Sequence, residues 1–251
     1  MTLLVDGDWL VYAACCASEQ DIRWDEWINT LHCEQEDIRW HILNKLTFWC
    51  DLTGDKDIVL CFSDYPTFRH ELSREYKATR MGKRKPLGLR DARLWAEQRL
   101  VTRTMRGLEA DDVMGILSTS GEYADPVMVS IDKDMRTVPG RLLADDEIVV
   151  TSSEEANRNW MLQTLTGDSS DNYPGLKGYG PKTAAKALTG ATTLAEMWQA
   201  VSAAYKKEKA SFSDLLLNAR LARILRHGDY DDASGTVRLW EPATDPELTN
   251  G

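Results

Sequence analysis

Residues 107–117, Gly-Leu-Glu-Ala-Asp-Asp-Val-Met-Gly-Ile-Leu, put three carboxylates (Glu109, Asp111 and Asp112) into four positions ahead of an apolar helical run. The first turn of a helix attracts acids because its unpaired N–H groups are partly positive. That accounts for one or two acids, whereas a third adds repulsion unless a cation sits among them. Further acids stand where short apolar runs end: Asp6 after Leu3-Leu-Val5, Asp64 after the run 58–62, and Asp132 and Asp134 after 127–131. Asp168 and Asp171 form another pair. Any one of these is ordinary turn chemistry. Converging in one cleft, they cannot all ionise without divalent ions between them. Oxygen ligands without His or Cys suit Mg²⁺ or Mn²⁺. Two such ions, roughly 4 Å apart, activate water and stabilise the leaving oxygen of a phosphodiester. The chemistry indicated is phosphoryl transfer to water. Only four His are present, and none sits in a Ser or Cys nucleophile motif.

The cations are as unevenly placed as the acids. The chain of 251 residues carries a net charge of −10, yet residues 69–106 hold twelve Lys/Arg against four acids, a local +8. This asymmetry suggests a local anionic partner. The stretch 68–85 contributes Arg69, Arg74, Lys77, Arg80, Lys83, Arg84 and Lys85, cations suited to the phosphates of a chain, and Tyr76 is placed to stack on a base. The bland reading of such a run is a solvated face. Here it follows directly on a strand-end acid, so it should overhang the acidic cleft. Downstream, Gly175-Leu-Lys-Gly-Tyr-Gly-Pro-Lys-Thr183 opens a helix with Pro181 at its first position. Backbone N–H groups of such a loop make an anion pocket, to which Lys182 and Lys186 add charge. It is not a P-loop, since Pro181 stands where that motif requires Gly.

These groups need a scaffold. The runs 3–5, 58–62 and 127–131 read as buried strands, and 36–52, 87–105 and 109–119 as helices. The alternation predicts an α/β fold, a mostly parallel central sheet flanked by helices, with ligands beyond the carboxyl ends of the strands. From about 154 strand signals fade and helices are expected at 154–165, 181–188, 193–209 and 212–227. The division is therefore an α/β core over 1–153, with the basic segment 69–106 within it, a helical region over 154–235, and a late strand-like run with a frayed tail over 236–251. Five Cys, all in the first quarter and none in a CxxC pair, read as reduced thiols; a zinc site built from them with His32 or His41 is the minor alternative. The N-terminal stretch meets its first acid at position 6, so neither a signal peptide nor a membrane span is expected there.

The segments LLVDGDWLVY, FSDYPTFRHELSREYKATR, GLEADDVMG, SIDKDM and TGDSSDNYPGLKGYGPKTAAK, in this order, resemble the structure-specific 5′ nucleases. That family includes flap endonucleases, the 5′-nuclease domain of bacterial DNA polymerase I and phage 5′–3′ exonucleases, and the small size resembles the phage enzymes most. The resemblance implies a Mg²⁺-dependent 5′ nuclease acting on DNA duplex ends, nicks or 5′ flaps, in replication or recombination. It makes Asp6, Asp64, Glu109, Asp111, Asp112, Asp132, Asp134, Asp168 and Asp171 metal-site carboxylates. Tyr76, Lys77 and Arg80 fall on the segment that engages the 5′ end and scissile phosphate. The stretch with Gly175, Lys177, Gly178, Gly180, Lys182, Thr183 and Lys186 matches a helix–loop–helix, about 165–190, that grips duplex backbone, often with a K⁺ ion. Between Arg80 and Glu109, 28 residues remain for the helical arch of the family, which predicts a short or open one. A monomer in the cytoplasm, the host bacterial cytoplasm if phage-encoded, is expected, with a polymerase or single-strand binding protein as compatible partners. Two other readings stand beside this one: a catalytically inactive structure-specific DNA-binding protein, and a ribonuclease on a related acidic α/β fold.

Overall fold

The computed structural model describes residues 2–80 and 82–242. Its centre is a six-stranded sheet in the order β5-β4-β1-β6-β7-β8, built from β1 (Thr2–Asp6), β4 (Asp57–Phe62), β5 (Thr102–Thr104), β6 (Val127–Val129), β7 (Gly140–Ala144) and β8 (Glu147–Thr151). All neighbours run parallel except β7 and β8, which form a hairpin. The sheet is therefore mostly parallel, as the alternation of runs requires. Residues 2–5 of β1 are all buried, which is why they read as a continuous apolar run rather than an alternating one.

Period-2 geometry sorts the strand residues onto two faces. Leu3, Val5, Leu60 and Phe62 pack with Val11, Ile38, Ile42, Ala92 and Ala96 from α1 (Gly7–Ser18), α2 (Gln35–Thr53) and α4 (Leu89–Arg99). Leu4, Val59, Cys61 and Met128 pack on the other face against Val113, Met114 and Leu117 of α5 (Ala110–Thr119). A separate apolar cluster joins α6 (Ser153–Thr166), α7 (Pro181–Ala187), α8 (Leu194–Lys207) and α9 (Phe212–Ala222). The two parts meet closely at α5, where a Cβ on Gly115 would lie 2.3 Å from the Leu225 carbonyl oxygen.

Several local expectations are corrected. The helix expected over 87–105 is α4 followed by β5, because Val101-Thr-Arg-Thr is β-branched and Leu60 donates its N–H to the Val101 carbonyl at 2.9 Å. Nor does this segment stand off as an arch. Ala92 and Ala96 of α4 are fully buried against the sheet layer that carries α1 and α2. The helix expected over 212–227 stops at Ala222; Arg223 is extended, and Ile224 and Leu225 pack beneath α5. The run 127–131 gives a strand only to Val129. The late run 237–240 yields a two-residue strand, β10 (Thr236–Val237), paired with β9 (Tyr230–Asp231). Trp240 instead anchors the chain, with ring centroids 4.9 Å from Trp160 and 4.8 Å from Trp198. The tail beyond residue 242 lies outside the described residues. The helix α1, the hairpin β2 (Gln20–Arg23)/β3 (Asn29–His32) and the pair β7/β8 stand outside the runs that the periodicity marks. Apolar residues lie all round α1, so it carries no clear 3.6-residue stripe.

Candidate active site

The chain runs from β1 outward to β4 and β5 on one side, then returns to β6 on the other. The crevice between the carboxyl ends of β1 and β6 is thus the switch point at which open parallel sheets bind ligands. A cleft of about 700 Å³ opens there, lined by Asp6, Asp8, Glu109, Asp111 and Asp132. Its rim carries Lys77, Arg80, Lys83, Arg84, Lys85 and Lys133, with Trp9, Tyr12 and Tyr65. A small pocket of about 20 Å³ shares Glu109, Asp111 and Asp132 and adds Asp134 and Asp171. Carboxylates from β1, α5, the loop after β6 and the loop after α6 therefore converge, beneath a cationic rim.

Each acid is held by local backbone chemistry. Asp6 caps α1, accepting the Trp9 N–H at 3.0 Å. Glu109 caps α5 and accepts from Lys77 Nζ at 2.6 Å, from Tyr76 Oη at 2.8 Å and from Arg69 at 3.1 Å. Asp132 accepts the Asp134 N–H at 2.8 Å, and Asp134 accepts from Gln163 Nε2. Asp171 accepts from Arg80 at 2.6 Å, and its Oδ2 lies 3.0 Å from Tyr76 Oη, whose single proton is shared with Glu109. Asp168 is not among the lining residues of either pocket. It orders its own turn through the Ser170 N–H at 2.7 Å and takes Lys133 Nζ at 3.2 Å. That turn closes only because Gly167 and Gly175 press together with φ of +67° and +62°; a Cβ on either would lie 2.4 Å or less from backbone atoms.

The electrostatics are those of a site short of positive charge. Burial, with Asp8 and Asp132 nearby, pushes the Asp6 carboxyl up to about 7. Burial also pushes Asp134 to about 6, with Asp132 adding repulsion. Asp111 is driven well above the carboxylate range by burial and then by Asp6 and Asp132, and its buried Oδ1 has no hydrogen-bond partner. Glu109 is the contrast. Burial opposes its charge, but Arg69 and Lys77 hold it below its ordinary value. Lys77 adopts a left-handed φ of +53°, uncommon for a side chain of this kind, and its N–H is tied to the Asp171 carbonyl at 3.0 Å.

Four expectations fail here. Asp112 faces the core, not the cleft: it is fully buried, takes two hydrogen bonds from Arg69 at 2.6 and 2.8 Å, and accepts the Leu225 N–H. Glu109 and Asp111 line the cleft, and Asp112 does not. Arg69 is unavailable to DNA. It is 3% exposed and cross-links Asp112 and Glu109 to the carbonyls of Leu221 and Arg223. Asp64 is turned aside to accept the Gly107 N–H at 2.9 Å. Tyr76, 3% exposed, has no free face for a base; Tyr65 and Tyr12, 58% and 42% exposed on the cleft rim, are open rings. Asp8 is the acid absent from the expectations, although Asp6-Gly-Asp8 repeats the spacing of Asp132-Lys-Asp134. The other expected cations are accessible. Lys83, Arg84 and Lys85 line the cleft, Arg84 paired with Glu19 at 2.6 Å, and Arg74 is exposed outside it. Lys177, Lys182, Thr183 and Lys186 are exposed around α7, and Gly178 and Gly180 have open space where a Cβ would stand.

Residues 1–166 match the model of the 5′-3′ exonuclease N-terminal resolvase-like domain, and residues 156–240 that of the 5′-3′ exonuclease C-terminal SAM fold. The chain belongs to the 5′–3′ exonuclease family. It is a nuclease of the 5′–3′ exonuclease/flap endonuclease type, a phosphodiester hydrolase. It is 29% identical to the exonuclease of Escherichia phage T7, covering 96% of this chain and 93% of that protein. It is 27% identical to the exodeoxyribonuclease of Enterobacteria phage T3, covering 96% and 92%. Among solved structures, the fold is shared with the phage T5 D15 protein co-crystallised with metal ions, at TM-score 0.65, 16% identity and 88% coverage of each chain. No described helix of this exonuclease is long and apolar enough to cross a membrane.

Proposed function

We propose that this exonuclease hydrolyses DNA from 5′ ends in a Mg²⁺-dependent reaction, with Mn²⁺ as a substitute, at the cleft between β1 and β6. The observation that carries this reading is the convergence of Asp6, Asp111 and Asp132 under a rim of lysines and arginines. Among the described residues, no three acid, His or Cys side chains form a ready-made metal cage. That is compatible with Mg²⁺, which keeps several waters and takes only one or two carboxylates at a time. The chemistry of the donors fits such an ion. The unpartnered Oδ1 of Asp111 and the elevated Asp6 are groups that a cation would relieve. Asp6, Asp111 and Asp132 would hold one divalent ion, and Asp134, Asp168 and Asp171 a second. Ions held there would supply water activation and stabilisation of the leaving oxygen.

The protein's own groups do the rest. Lys77 and Arg80, at the cleft rim, neutralise charge developing on the scissile phosphate. Tyr76 positions Glu109 and Asp171 through its hydroxyl. Lys83 and Lys85 hold the phosphates of the strand at the cleft, with Arg84, while Arg74 extends the cationic track. The loop 175–180 and α7 present backbone N–H groups with Lys177, Lys182, Thr183 and Lys186 to the duplex. We assign a K⁺ ion to that loop, and read the enzyme as a monomer of the bacterial cytoplasm working beside a polymerase or single-strand binding protein.

Product-size mapping with Mg²⁺ on blunt, nicked and 5′-flap DNA, labelled at the 5′ end, tests the reading. Mononucleotides from duplex ends identify exonuclease action and a released flap oligomer identifies endonuclease action. No cleavage of any of the three would overturn it.

A further inference from the structure

Two carboxylates stand near Ser63 at the end of β4, and they face different ways. Asp64 belongs to the turn, where it accepts the Gly107 N–H. Asp8 comes from the first turn of α1, yet it is fastened to the β4 end: its Oδ2 accepts the Ser63 N–H at 2.9 Å. Arg93 reaches over from α4 to complete the fastening. It donates to Asp8 Oδ1 at 3.2 Å, to the Ser63 carbonyl at 2.9 Å and to Glu97 at 2.9 Å. Chain order would make the acid of β4 the third wall of the cleft. The structure supplies that wall from α1 instead, beside Asp6 and facing Glu109 and Asp111.

The Ser63 N–H, the Ser63 hydroxyl and Arg93 donate to Asp8, and a carboxylate has about four acceptor sites, so capacity for a further donor remains. The side chain is 33% exposed, and that exposed part borders the cleft. A hydrated divalent ion needs acceptors of this kind. Mg²⁺ gives up its waters reluctantly, and those waters must donate to something. An acceptor already locked by Ser63 and Arg93 loses little further freedom when it is engaged.

We propose that Asp8, rather than Asp64, is the β4-side carboxylate of the cation site, accepting hydrogen bonds from the hydration shell of ions held by Asp6, Asp111 and Asp132, with Arg93 as its positioning residue. The proposal rests on the nuclease reading above. Partners of this outer kind are worth about 10–100-fold in metal affinity.

The test is Mn²⁺ and Mg²⁺ binding to the DNA-free protein by calorimetry, for wild type, Asp8→Asn, Asp64→Asn, Arg93→Gln and Arg93→Lys. Asp8→Asn keeps the Ser63 contact but removes the negative charge. Its Kd for the ion should rise about tenfold, and its cleavage of 5′-labelled duplex should recover as Mg²⁺ is raised. Asp64→Asn should bind ions as wild type does. Arg93→Gln should weaken binding, and Arg93→Lys should restore part of it, which a loss of folding would not do. Melting in EDTA, compared with melting in Mg²⁺, separates damage to the fold from damage to the site. A wild-type Kd in Asp8→Asn, or an equal rise in Asp64→Asn, overturns the proposal while the nuclease reading stands. A wild type that takes up neither ion and cuts no DNA overturns both.

Discussion

A guanidinium shut away from solvent, gripped by two carboxylates and two backbone carbonyls, is a structural cross-link. Arg69 is that group: it joins α5, through Glu109 and Asp112, to the end of α9 and the residue that follows it, through the carbonyls of Leu221 and Arg223. Removing one partner of a buried pair leaves an uncompensated charge, at about 3–5 kcal/mol. Arg69→Met should therefore lower the stability measured by urea unfolding by about that amount. The double variant Arg69→Met/Asp112→Leu should recover part of the loss. A phosphate-binding arginine would give neither result. The opposite behaviour is expected at Asp132, which is exposed at the cleft. Asp132→Asn keeps the shape and should leave the melting temperature near wild type. Cleavage of a 5′-labelled duplex should fall about a thousandfold, the size of several kcal/mol of charge stabilisation.

At the scale of elements, α7 and the loop before it form a unit distinct from the cleft. On the proposed reading, their exposed cations, Lys182 and Lys186, act on duplex backbone through charge alone. Lys182→Ala/Lys186→Ala should weaken duplex binding uniformly across sequences and flatten the dependence of log Kd on log salt by about two. Titrating labelled duplex in Ca²⁺, which should permit binding without turnover, measures it. The contact between α5 and the chain after α9 is tested at Gly115. A methyl there meets the Leu225 carbonyl oxygen at 2.3 Å, so Gly115→Ala should destabilise by about 1–3 kcal/mol through overpacking despite Ala being the better helix former.

For the whole molecule, the charge pattern links stability to pH and to metal. The carboxyl groups of Asp6 and Asp134 titrate at about 7 and about 6 in the folded chain, against 3.8 for the ordinary group. The metal-free folded state therefore holds protons that the unfolded chain has released, and its stability falls as pH rises from 3.8 toward about 7. Above that range both states are ionised and these groups add no further slope. On the proposed reading Mg²⁺ would replace the protons, so it should raise the melting temperature far more at pH about 8 than at pH about 5. Asp6→Asn should flatten the EDTA curve; an unchanged slope in that variant would remove Asp6 from the account.

Much of this architecture is written in local patterns. The buried runs of β1, β4 and β6 and the amphipathic run of α5 announce a parallel sheet, because a strand covered on both faces must be apolar throughout. Strand-end acids and the Gly-rich loop before Pro181 announce the site, because their chemistry is carried by residue type and spacing. Direction is another matter. Asp111 and Asp112 are neighbours in sequence, but one faces the cleft and the other the core, since successive helix positions turn by about 100° and only packing on Leu225 and Arg69 sets the phase. Arg69 and Arg80 are equally cationic in sequence, and burial alone separates them. Asp8 displaces Asp64 because Ser63 and Arg93, distant in the chain, meet it in space. Residue chemistry and element type were thus determined locally, by periodicity and composition. Which side chain faces the cleft and which faces the core was decided by long-range packing, which no local window contains.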